Sequence, residues 1–186
     1  MSDTPNLISP EDARLNKVLH DAEEYYGETG RNFADNVRLL CRDNKYSSLL
    51  DYGAGKGALK RKLEEIGADL DVREYDPAMP GMDALPEPAD VVACFDVMEH
   101  VEPDFIDNLL THIRDLADKC AVFTISNRKS SQTLEDGRNA HLTIEGHDWR
   151  SERLSPYFKI IFSQDVMVDN GMRAGCHFYI ALPIKG

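Results

Sequence analysis

The stretch Leu49-Leu50-Asp51-Tyr52-Gly53-Ala54-Gly55-Lys56-Gly57 sets an apolar run, ending in a carboxylate, directly against a turn with three glycines. With Leu59, Leu63 and Ile66 following at helical spacing, it predicts a strand over 47–51, a tight turn and a helix that ends at Gly67. Such a unit forms the ligand corner of an open α/β sheet. Glycine admits positive φ and lets backbone approach a small molecule at the carboxyl end of the strand. The spacing Gly53-x-Gly55-x-x-Ala58 also fits a dinucleotide fingerprint, so spacing alone does not choose the ligand. Asp51 chooses it, because a carboxylate two residues ahead of the turn repels a pyrophosphate. It suits a ligand with an ammonium, a sulfonium and no phosphate.

S-Adenosylmethionine is that ligand. Val72-Arg73-Glu74-Tyr75-Asp76 reads as a second strand with an acidic end, the position from which an acid binds ribose hydroxyls. Asp90-Val91-Val92-Ala93-Cys94-Phe95 is a further apolar strand that runs into Asp96, Glu99 and His100. With "LLDYGAGKG", "EYDPA" and "ACFDVMEHVEP" on the page, residues 47–126 resemble the class I S-adenosylmethionine-dependent methyltransferases, and in particular a small branch like the ubiquinone-biosynthesis methyltransferases. The resemblance implies a Rossmann-like, doubly wound α/β sheet and methyl transfer from S-adenosylmethionine.

Outside the glycine turn the chain reads as one domain. Residues 1–45 are expected to form a helical cap and residues 46–186 the cofactor-binding core. Ser9-Pro10-Glu11-Asp12 is a helix start, with Ser as N-cap, Pro at the first helical position and an acid at the third. Leu15, Val18, Leu19, Ala22, Tyr25 and Tyr26 continue that helix to a stop at Gly27, and a second helix carries Phe33, Val37 and Leu40. Pro77, Pro80, Pro86 and Pro88 remove donors where the family has another helix and strand, so the sheet is expected to be trimmed, with the second strand at an edge. A long helix from Asp104, a strand over 121–125, a polar loop over 127–147 and a short helix around Trp149 follow. Strands over 158–162 and 177–182 are expected as an antiparallel pair.

For the cofactor we expect Asp51, Gly53, Gly55 and Gly57 in the turn and Asp76 on the ribose, with Glu74 as the alternative acid. By resemblance, Asp83 lies along adenine and Asp96 at the methionine end. Asp96, Glu99 and His100 stand at i, i+3 and i+4, one face of a helical turn, and His141 in the loop after the fifth family strand can face them. Two readings stay open: a divalent metal held by Asp96, Glu99, His100 and His141, or His100 or His141 as a general base. Similar acid-x-x-Glu-His arrangements with a later His bind a metal in small-RNA 2'-O-methyltransferases. Arg128 and Lys129, with Arg138 further on, are candidates for a substrate phosphate or carboxylate, although Glu135 and Asp136 offset them in sequence. His20, His112, His147 and His177 read as structural or surface residues.

Composition narrows the function. The formal net charge of −12 opposes a broad nucleic-acid footprint. Cys41, Cys94, Cys120 and Cys176 show no metal-ligand spacing and read as reduced core thiols. No basic, apolar leader is visible at Met1–Asn6, and no run approaches the roughly 20 apolar residues of a membrane helix, so a cytoplasmic protein is expected. The sequence thus points to a monomeric or homodimeric enzyme that methylates an O or N of a small-molecule acceptor. The rival readings are a nucleotide or nucleic-acid methyltransferase and an inactive cofactor-binding module.

Overall fold

The computed structural model of the protein describes residues 6–23, 26–168 and 173–186. Helix α1 (Pro10–Ala22) starts on the Ser9 cap, whose hydroxyl accepts from the Asp12 N–H at 3.1 Å, and α2 (Ala34–Asn44) follows a 3₁₀ turn over Thr29–Phe33. Then come β1 (Ser48–Tyr52), α3 (Ala58–Glu65), β2 (Asp71–Tyr75), β3 (Ala89–Phe95), α4 (Ile106–Leu116) and β4 (Ala117–Ser126). Helix α5 (His147–Leu154), β5 (Phe158–Val168) and β6 (Arg173–Pro183) complete the chain. The six strands form one sheet in the order β2-β1-β3-β4-β6-β5, parallel from β2 to β4, with β6 antiparallel to both β4 and β5.

Parallel strands covered on both faces need near-continuous apolar runs, and Leu49–Leu50 of β1, Val91–Phe95 of β3 and Cys120–Phe123 of β4 supply them. Leu50, Val92 and Phe123 face a layer built with α4 and α5, while Leu49, Val91, Ala93 and Val122 face a layer built with α2 and α3. Alternate residues of one strand thus serve opposite cores. The trimmed sheet holds: among the described residues no strand lies beyond β2. The proline-rich segment is tied to that edge instead, because the Arg73 guanidinium donates to the carbonyls of Glu87 at 3.2 Å and Pro88 at 2.8 Å. No helix among the described residues is long and apolar enough to cross a membrane.

Several boundaries differ from the sequence reading; β4, for one, begins at Ala117 rather than at 121. Helix α1 stops at Ala22, where Glu23 takes extended geometry and its N–H caps the Leu19 carbonyl, so Tyr26 leaves the helical stripe; Tyr25 lies outside the described residues. Strands β5 and β6 are each 11 residues long, because Ser163, Gln164 and Asp165 continue the hairpin ladder although their polarity hides a strand. The two helices of the expected cap also pack differently. Helix α2 buries Ala34, Val37 and Cys41 in the sheet layer, whereas α1 buries Leu15 and Leu19 against Leu134 and Ala140 of the polar loop. Cys41, Cys94 and Cys120 are buried free thiols, and Cys176 is half-buried.

Phe123 is fully buried and meets Phe158 edge-on at 5.3 Å, whereas Ile161 on β5 is 53% exposed. Chemical denaturation of Phe123→Ala is expected to show a loss of about 3–5 kcal/mol, and Ile161→Ala a loss below about 0.5 kcal/mol. Equal losses would contradict this assignment of the core.

Candidate active site

A cavity of ≈ 1420 Å³ opens at the carboxyl ends of β1, β3 and β4. One end is the glycine turn. The Tyr75 carbonyl at the end of β2 accepts from the N–H groups of Gly53 at 2.7 Å and Ala54 at 3.1 Å, and Asp76 Oδ2 accepts from Gly55 N–H at 2.9 Å. Gly53 has φ 77°, and a Cβ there would stand 2.3 Å from Val97 Cγ2, so the position admits no side chain. Gly55 has φ 54°, and its Cβ would stand 2.9 Å from Cε1 of His20. Asp51, Gly53, Ala54 and Asp76 line the cavity. Asp51 is 4% exposed, and burial, with the charges of Glu74 and Asp76 behind it, pushes its pKa up to about 8. An ammonium placed against it would favour the carboxylate and repay that desolvation.

Several expected cofactor residues sit elsewhere. Gly57 does not line the cavity; it takes φ 69° as the N-cap of α3 and makes room for Glu74 Oε1, 2.3 Å from where its Cβ would be. Glu74 pairs with Lys60 at 3.4 Å and does not line the cavity, whereas Asp76 does. Asp83 is exposed and accepts from Gly81 N–H at 3.1 Å, since the turns after β2 swing this segment away from the cavity. His20, which reads as structural in sequence, lines the cavity with its ring against Gly55 and Gly27. Its position in the last turn of α1 is visible in sequence, but its contact with a turn 35 residues away is not.

The other end gathers the candidate catalytic groups. Asp96 takes a left-handed φ of 52° and closes a loop of hydrogen bonds with Thr124, whose hydroxyl donates to Oδ1 at 2.8 Å. This reversal, followed by a 3₁₀ turn over Met98–His100, breaks the expected helical phase. Asp96 therefore lines the cavity but stands apart from the group formed by Glu99, His100 and His141, whose ligating atoms lie within 4.8 Å of one another. Glu99 is fully buried; Oε1 accepts from Ser126 N–H at 2.8 Å and Oε2 has no partner among the described residues. Burial, then the charge of Asp96, pushes its pKa up to about 8.

Both histidines have one nitrogen assigned by a backbone carbonyl. His100 Nδ1 lies 2.7 Å from the Ala140 carbonyl and His141 Nδ1 lies 2.6 Å from the Arg128 carbonyl, so each Nδ1 carries the proton and each Nε2 keeps its lone pair. The rings meet edge-on at 4.7 Å. Burial lowers the pKa of His100 to about 3 and lowers that of His141, so both are neutral at pH 7. Tyr26 adds its hydroxyl 3.1 Å from His100 Nδ1, and burial raises its pKa. His112 instead bonds Tyr52 at 2.8 Å, and the rings of His147 and His177 tilt against each other at 4.1 Å, as structural residues do.

Arg150, unmarked in the sequence reading, is 1% exposed and donates Nη1 to the Ile125 carbonyl at 2.9 Å and Nη2 to the Ser126 carbonyl. The peptide groups flanking Ser126 are thus held by Glu99 on one side and Arg150 on the other. An arginine in a short polar helix carries no sequence signal for this; only the arrival of α5 beneath the end of β4 creates it.

The folded chain keeps protons on Asp51 and Glu99 from their ordinary pKa, about 4, up to about 8, where the unfolded chain has released them. These groups therefore make stability fall as pH rises through that interval. The lowered histidines act oppositely, but their contribution is complete by about pH 6.5. Between about pH 6.5 and 8 the unliganded protein is expected to lose stability on the order of 1 kcal/mol per carboxyl, and Asp51→Asn or Glu99→Gln to flatten the slope. A rise in denaturation midpoint over that window would contradict these protonation states.

A family model described as a methyltransferase domain matches residues 20–163. No curated protein matches the chain. Among solved structures, the chain is similar to the 1,6-didemethyltoxoflavin N1-methyltransferase of Burkholderia thailandensis, with bound 1,6-didemethyltoxoflavin and S-adenosylhomocysteine. The TM-score is 0.69 at 20% identity, over 98% of this chain and 93% of that one. It is also similar to the N-methyltransferase NodS of Bradyrhizobium japonicum WM9, with TM-score 0.65 at 12% identity over 94% and 100% of the two chains. A third is the magnesium protoporphyrin IX methyltransferase of Synechocystis PCC 6803 with bound S-adenosylmethionine, at TM-score 0.57 and 15% identity over 90% and 97%. The match over 20–163 spans most of the chain, which belongs to the methyltransferase-domain family.

Proposed function

We propose that the protein binds S-adenosylmethionine and transfers its methyl group to an oxygen or nitrogen of a small-molecule acceptor. The observation that carries this reading is the continuity of one ≈ 1420 Å³ cavity from the glycine turn and Asp76 to His100 and His141. A pocket for one ligand measures roughly 300–1,000 Å³, so there is room for cofactor and acceptor together. Asp51 faces the ammonium and Asp76 the ribose hydroxyls. The solved relatives with S-adenosylhomocysteine or S-adenosylmethionine bound support the cofactor.

Catalysis then rests on positioning. A lone pair of the acceptor attacks the methyl carbon in line, the carbon–sulfur bond breaks, and its electrons remain on sulfur. Holding two reactants at that alignment supplies most of the rate. The acceptor proton passes to Nε2 of His141, a neutral imidazole oriented by the Arg128 carbonyl. The acidic charge of the chain favours this acceptor class over nucleic acid.

A metal-assisted version has its own support. Glu99 Oε2, unpartnered and buried, and the two bare Nε2 atoms of His100 and His141 make a donor set that fits a divalent cation, with both imidazoles oriented by carbonyls as metal-binding histidines are. Such an ion would lower the pKa of an acceptor hydroxyl. Asp96 is not part of this set.

Calorimetry is expected to show binding of S-adenosylmethionine and S-adenosylhomocysteine and none of NAD, with Asp51→Ala weakening both by about tenfold or more, as loss of a charged hydrogen bond does. Binding of NAD alone would overturn the reading. His141→Ala is expected to slow transfer by about 10²-fold or more with cofactor affinity intact. Elemental analysis separates the two versions: one ion per chain, lost in Glu99→Gln, supports the metal, and full activity of the metal-free protein excludes it.

A further inference from the structure

Arg128 and Lys129 line the cavity and form no ion pair among the described residues, in a chain with 33 acidic and 21 basic side chains. In sequence, Glu135 and Asp136 stand ready to neutralise them. The fold removes both: Glu135 is held by Arg14 of α1 at 2.8 Å and Asp136 by Arg138 at 2.6 Å, while Arg138 also grips the buried Asp12. The acids nearest in sequence are engaged elsewhere, and two adjacent cations remain at the acceptor end.

The backbone that presents them is built in advance. The buried Arg150 holds the Ser126 carbonyl, His141 donates to the Arg128 carbonyl at 2.6 Å, and Asn139 brackets Ser130 by accepting from its N–H at 3.0 Å and donating to its carbonyl at 2.9 Å. The same bond that places Arg128 orients His141, so an anion seated here lies next to the proton-accepting group. A second wall of the cavity is aromatic: Phe33 stacks on Phe178 at 5.9 Å and tilts against Phe95 at 5.0 Å, and Phe162 meets Phe178 edge-on at 6.2 Å. Cations on one side and aromatic faces on another select a flat ring with a negative head group.

We infer that Arg128 and Lys129 are the anion-binding end of the acceptor site, and that the acceptor is an aromatic small molecule carrying a carboxylate or a phosphate. This rests on the methyl-transfer reading above. Three probes share one ring and differ in head group: benzoate, phenyl phosphate and the neutral benzamide. Each is titrated by calorimetry into the protein saturated with S-adenosylhomocysteine. At least one anion is expected to bind about tenfold or more tightly than benzamide, and the better of the two identifies the head group. The double variant Arg128→Gln, Lys129→Gln is expected to lose that preference while its melting temperature and S-adenosylhomocysteine affinity stay unchanged. Benzamide binding as well as the anions, neither anion binding at ~10 mM, or a preference that survives in the double variant overturns the inference. Failure of the wild-type protein to bind S-adenosylhomocysteine instead overturns the methyl-transfer reading beneath it.

Discussion

The Tyr75 carbonyl, shared between the N–H groups of Gly53 and Ala54, is the contact on which the rest of the site depends. It docks the glycine turn onto the end of β2, and the next residue, Asp76, fastens Gly55 with its own carboxylate. The edge strand therefore does two things at once. It shapes the turn, and it delivers an acid to the cavity wall. Five residues of β2 are enough for both, because the register pairs Tyr52 with Tyr75 and brings both strands to their ends together. A further strand beyond β2 would add nothing to that geometry, which is consistent with its replacement here by a proline-rich segment pinned by Arg73.

At the far end of the cavity the ordering principle is the burial of polar side chains against backbone partners arranged in advance. Glu99 and Arg150 never meet the solvent, and each spends its polarity on the backbone around Ser126. Removing either side chain would leave a buried peptide group at Ser126 without its partner. The chain leaving β4 is thereby tied at both peptide groups of Ser126. Two residues on, the Arg128 carbonyl accepts from the His141 Nδ1–H and so sets which imidazole nitrogen is bare.

Much of this was legible in the sequence. The glycine turn declares itself because only glycine fits where Val97 and His20 crowd the backbone. The edge position of β2 follows from four prolines that cannot serve a ladder. The meeting of Glu99 and His100 with His141 was readable from the loop that His141 occupies after β4, but the place of Asp96 was not readable from spacing, since its left-handed φ goes with its bonds to Thr124 on another strand. Asp83 lies outside the cavity lining because the family pattern assumes a helix and strand that this chain lacks. His20, Tyr26 and Arg150 were missed for a common reason: each reaches the site through packing between elements distant in sequence, and none lies in a motif.

The central claim is that one cavity seats a cofactor at the glycine turn and presents its sulfur to the histidine end. A crystal structure with S-adenosylhomocysteine bound tests this most directly. The account predicts the ammonium at Asp51, the ribose hydroxyls at Asp76 and the sulfur facing the space bordered by His100 and His141. A sulfur turned away from both histidines, or the adenine occupying the space between His141 and Arg128, would contradict it.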